Sequence, residues 1–80
     1  MSSRFTASKT ANEQELYEKV ILELPKEVVL QVDINNCQLI EPYEGKKEIL
    51  IRNLLGKEIA YASISESHSN YDEWSVYLDY

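Results

Sequence analysis

TANEQELYEKVILELP, residues 10–25, decides the fold. Leu16, Tyr17, Val20, Ile21 and Leu24 recur at helical spacing on one apolar stripe, with Glu15, Glu18, Lys19 and Leu22 on the other side. Thr10 and Glu13 match the T-x-x-E capping box, in which each side chain can satisfy the other's backbone amide. Glu13 and Glu15 also sit where the helix dipole favours negative charge. Pro25 lacks an amide donor and disfavours a helical Leu24, so the pattern ends there. The spacing predicts an amphipathic helix over 11–24, which needs an apolar surface to cover.

Beyond Pro25 the period changes to two. Val28–Ile34 predicts a strand with Val28, Leu30, Val32 and Ile34 on one face. Asn35-Asn36 predicts a tight hairpin turn, and Cys37–Ile40 the returning strand. Pro42 and Gly45 mark a loop, Lys47–Leu54 a third strand, Gly56-Lys57 a turn and Glu58–Ser65 a fourth strand. Ser63–Asn70 is Ser-rich and reads as a loop. Trp74, Val76, Leu78 and Tyr80 then alternate with Ser75, Tyr77 and Asp79 in a last strand. Residues 1–9 read as a flexible tail and residues 10–80 as one domain.

The expected class is therefore α+β: one N-terminal amphipathic helix packed on a four- to five-stranded antiparallel sheet. The strand connections are too short for parallel crossovers. One helix cannot cover such a sheet. A second face carrying Val29, Leu50, Leu54, Ala60, Ala62 and Ile64, with Tyr77 joining it in one register, is expected either to curl over itself or to meet a companion.

Eighty residues with 44% hydrophobic and 28% charged side chains suit one globular domain. A core of this size gives modest stability. Cys37 is the single cysteine, which rules out an internal disulfide and fits a reducing cytoplasm. No run of about 18 apolar residues is present, so no membrane-spanning helix is expected. The net charge is −6, which disfavours nucleic acid and favours a basic partner.

Chemistry-bearing clusters are sparse. His68 is the only imidazole base available, and its Ser67 and Ser69 neighbours fit a solvated loop as well as a catalytic one; an enzyme or metal-dependent module there ranks last. Cys37 reads as a half-buried strand residue rather than a reactive thiolate. Glu66, His68, Asp72 and Glu73 match no metal-ligand spacing, and two glycines give no phosphate cradle. Lys46, Lys47, Arg52 and Lys57 form the one basic cluster, with no aromatic interleaved. No catalytic residue, metal or cofactor is assigned.

The aromatic residues are more informative. Six tyrosines and one tryptophan are present, and the stretch from Asn70 mixes four of these seven rings with three carboxylates. Tyrosine offers rigid amphipathic contact area, and carboxylates beside it select basic side chains. Tyr71, Asp72, Glu73, Tyr77, Asp79 and Tyr80 are the candidate partner-binding residues. In charge and aromatic content, though in no motif, the chain resembles small acidic inhibitors of nucleic-acid enzymes: immunity proteins, antitoxins and phage-encoded inhibitors. The resemblance implies a protein that masks a partner's basic surface. The alternative is a structural or accessory subunit, associating through an apolar sheet face as a homodimer or within a larger assembly.

Overall fold

The computed structural model describes residues 1–80. Strand β1 (Ser2–Ser8) leads into helix α1 (Glu13–Glu23), a single helical turn α2 (Lys26–Val29) and a 3-10 turn at Ile34–Asn36. Strands β2 (Gln38–Tyr43), β3 (Lys46–Arg52), β4 (Glu58–Glu66) and β5 (Glu73–Asp79) follow. The sheet order is β1-β5-β4-β3-β2 and every neighbouring pair is antiparallel. Thus β2 to β5 form a meander, β1 docks beside β5, and the segment holding α1 carries the chain from one sheet edge to the other. The class is α+β, with a strand rather than the helix first.

Helix α1 forms where its apolar stripe places it, but its cap lies two residues later than the T-x-x-E match. Asn12 is extended (φ −81°, ψ 178°), and its Oδ1 accepts from the Glu15 amide at 2.9 Å. The Glu15 carboxylate accepts from the Asn12 amide at 3.4 Å. Thr10 is occupied in the preceding turn, where its amide donates to the Ser8 hydroxyl. At the other end Leu24 turns extended (ψ 148°) ahead of Pro25, as the proline requires.

The core lies between α1 and one sheet face. Leu16, Val20 and Leu24 meet Ile49, Ile51, Ala60, Ala62, Ile64, Val76, Leu78 and Ala7. The register lines these up across the strands: Leu78 faces Ala62, Ala62 faces Ile49, and Ile49 faces Leu39. A strand turns alternate side chains to opposite faces, so this register puts the branched residues of three strands on the same side. Trp74 closes one end, with Lys9 Nζ 5.1 Å and Lys47 Nζ 5.8 Å from its ring. Each of these lysines also holds a carboxylate: Glu66 at 3.0 Å and Glu41 at 2.5 Å.

Four expectations are corrected. Residues 1–9 are not a tail: Ser2–Ser8 is an edge strand whose Phe5 and Ala7 join the core. Val28–Ile34 is not a strand, because Pro25 is followed by the turn α2, and Leu30 and Ile34 face solvent. Asn35-Asn36 is not a hairpin turn. No residue other than glycine has positive φ, and Asp33 instead caps a 3-10 turn by accepting from the Asn35 amide. Finally, Ala60, Ala62 and Ile64 belong to the covered face, while Leu54 lies exposed in the β3–β4 turn. The glycine turns do hold: Gly45 (φ 85°) and Gly56 (φ 82°) take the left-handed region that side chains resist.

Two stability changes follow. Asn12→Ala removes the acceptor of the first helical turn and should cost about 1 kcal/mol in urea unfolding. Ser3 Oγ is shielded and has no hydrogen-bond partner. Ser3→Ala should therefore raise stability by about 1 kcal/mol, read from the same titration.

Candidate functional site

The face opposite α1 is uncovered, and the register defines its surface as three cross-strand rows. The first runs Ser2, Asp79, Tyr61, Leu50, Gln38; the second runs Arg4, Tyr77, Ser63, Glu48, Ile40. The third runs Thr6, Ser75, Ser65, Lys46, Tyr43. Hydroxyls dominate this face, and Tyr61 and Tyr77 stand diagonally beside one another at its centre. The apolar second face expected from the sequence is absent: Leu50 and Ile40 are its aliphatic members.

The cations of this face are engaged within it. The Arg4 guanidinium lies 5.2 Å over the Tyr77 ring. Lys46 Nζ donates to the Ser63 hydroxyl. The carboxylates have no such cation: the two ion pairs of the structure, Lys9–Glu66 and Lys47–Glu41, involve neither Asp79 nor Glu48. Glu48 instead accepts from the Tyr61 hydroxyl. That bond is the main cause of a raised Tyr61 pKa, with desolvation and the charge of Glu48 acting in the same direction. On the covered side the Tyr17 pKa is also raised, mainly by burial, then by Cys37 and Glu13.

The six candidate residues do not form one patch. Tyr77 and Asp79 share the open face. Tyr71, 80% exposed, and Asp72 lie in the β4–β5 loop. Glu73 begins β5 and accepts from the Asn70 side chain at 2.8 Å. It lies about 20 Å along the strand from Asp79. Tyr80 packs part-buried against the core and also lines an open pocket with Tyr61 and Asp79. Strand β5 itself is interior, between β1 and β4, and only one of its faces meets solvent. Arg4, Glu48 and Tyr61 were missed. The alternation of Tyr61, Ser63 and Ser65 with Ala62 and Ile64 was the available signal.

The other chemistry-bearing residues stand apart. His68 is exposed in the β4–β5 loop, and the hydroxyl of its neighbour Ser67 accepts from the amides of Ser69 and Asn70. Cys37 Sγ donates to the Asp33 carbonyl at 3.4 Å. No group of three His, Cys, Asp or Glu side chains gathers around a common point. A separate apolar groove of about 350 Å³ lies between α1 and the 3-10 turn, lined by Tyr17, Ile21, Leu22 and Ile34. No helix is long and apolar enough to cross a membrane.

Ionising Tyr61 would set a phenolate against the Glu48 carboxylate, so the folded chain holds that proton more tightly than the unfolded chain. The stabilisation is complete below pH 10, the ordinary tyrosine value, and fades as pH rises through the raised folded value. Glu48→Gln should lower the Tyr61 titration midpoint toward 10, read by NMR of the labelled tyrosine ring. Comparison with protein-family models, curated proteins and solved structures finds no match for the chain.

Proposed function

We propose that the protein is a non-catalytic binding module whose open sheet face docks on a basic surface of a partner protein, as a small acidic inhibitor does. One observation carries this reading. Tyr61 and Tyr77 stand on an uncovered face beside carboxylates without ion pairs, while the cations of that face are held over a ring or on a hydroxyl. Tyrosines and small hydroxyl side chains are the composition of adaptable protein-binding surfaces. The charge of −6 would speed encounter with a basic partner and keep nucleic acid away. A partner's arginine would find Asp79 and Glu48 within the same face as the rings.

The second reading, an accessory subunit held by apolar contact, moves to a different surface. Leu22 is 81% exposed beside the groove with Ile34, and Leu54 and Leu55 project from the β3–β4 turn. Asn36 ties that turn to the 3-10 segment by donating to the Asn53 and Leu54 carbonyls.

The two readings separate in one experiment, with the protein immobilised and native lysate passed over it. Tyr77→Ala and Asp79→Lys should each lower partner retention roughly tenfold or more, and retention should fall as salt rises. Leu22→Lys should leave it unchanged. Loss of retention with Leu22→Lys alone supports the accessory-subunit reading. Retention of acidic proteins only, or capture undiminished at about 1 M salt, overturns the docking proposal.

A further inference from the structure

The two edges of the sheet are not equivalent. Strand β2 is guarded: Pro42 lacks an amide, and the ladder to β3 shifts register between Ile40 and Tyr43. Proline and irregular pairing are devices by which sheet edges avoid further strands. Strand β1 has neither. It pairs with β5 over seven consecutive residues without a shift.

The hydrogen-bond parity of β1 shows which groups are free. The Tyr80 amide donates to the Met1 carbonyl, and the Lys9 amide donates to the Asp72 carbonyl. In an antiparallel ladder such pairs recur every second residue. Ser3, Phe5 and Ala7 therefore turn their backbone groups toward β5. Ser2, Arg4 and Thr6 turn theirs outward, together with the amide of Ser8, whose carbonyl accepts from Ala11. No strand covers this edge, and an open groove of about 320 Å³ runs beside it, lined by Thr6, Ala7, Ser8 and Ala11, by Glu15 and Lys19 of α1, and by Glu73. Arg4, the one charged residue of the strand, leans back over Tyr77 and leaves the edge clear.

We propose that β1 pairs antiparallel with β1 of a second copy, extending two sheets into one. A two-fold axis requires outward-facing residues to meet outward-facing residues, which leaves three central registers; the one centred on Thr6, with Arg4 against Ser8 and Phe5 against Ala7, closes one hydrogen-bonded pair fewer than the register centred on Phe5. Another sets Arg4 against Arg4, a like-charge pair. The remaining one sets Arg4 against Thr6, Ser2 against Ser8 and Phe5 against Phe5. The register with Phe5 against Phe5 is the one that the side chains and the number of hydrogen-bonded pairs together select. It places no like charges opposite one another, and it joins the part-buried Phe5 rings on the helix side in the closer, non-hydrogen-bonded pair. About six backbone hydrogen bonds would close the seam. The inference stands on the edge geometry of β1 and is independent of the docking face, since the purified chain alone tests it.

Sedimentation equilibrium of the full chain should show a monomer–dimer equilibrium. Thr6→Pro removes an outward amide that the monomer does not use and should weaken the dimer at least tenfold, with the circular dichroism spectrum retained. Thr6→Glu places a carboxylate opposite the partner's Arg4 and should tighten it roughly threefold or more; Thr6→Lys should loosen it by a similar factor. A wild-type chain monomeric up to about 1 mM overturns the proposal. So does a dimer that shifts the same way with Glu and with Lys, because its seam would then lie elsewhere.

Discussion

The burial of one sheet face under a single helix is the contact on which the rest of the molecule depends. Ala60 and Ala62 at the centre of β4 are small enough to let Leu16 and Val20 settle against the strands, and Ile49, Ile51, Ile64, Val76 and Leu78 fill the flanks. Removing apolar surface from water is the dominant favourable term in so small a chain, and it is spent almost wholly on this one side. The opposite side could then be built of hydroxyls, rings and charges, whose backbone ladder is already satisfied within the sheet. Division of labour between the two faces follows from the two-residue period of the strands.

The parts of the fold that carried strong local signals were legible in the sequence. The stripe Leu16–Leu24 located α1 and Pro25 located its end. The alternations in Lys47–Leu54, Glu58–Ser65 and Trp74–Tyr80 located β3, β4 and β5, the first running two residues past the end of β3 at Arg52. Strand β1 was harder to read because its inward set is Ser3, Phe5 and Ala7, of which one residue alone is large and apolar, so its alternation looked like polar tail. Val28–Ile34 misled in the opposite sense. Its alternation of Val, Leu and Ile is strand-like, but that stretch must carry the chain toward the far edge, where the Asp33 amide is fixed on the Arg52 carbonyl. Tertiary placement outweighed a local preference.

The open face was half legible for the same reason. Tyr77 and Asp79 could be assigned to one side of a terminal strand from alternation alone. Tyr61, Glu48 and Arg4 could not be joined to them without knowing that β5 lies between β4 and β1 and that α1 covers the alanine side of β4. Alternation alone did not show that Tyr80 would both pack part-buried against the core and line a pocket beside Tyr61 and Asp79. Strand order is a property of the whole chain, and no window of ten residues contains it.

The position of β1 also sets the sequence of events in assembly. Strand β1 takes as its neighbour β5, the strand farthest from it along the chain, whereas β2, β3, β4 and β5 each pair with their neighbours in sequence. Joining segments so far apart along the chain is slow, because much chain entropy is lost before the contact returns anything. The polar character of Ser2–Ser8 suits a segment that must remain dissolved until its place opens.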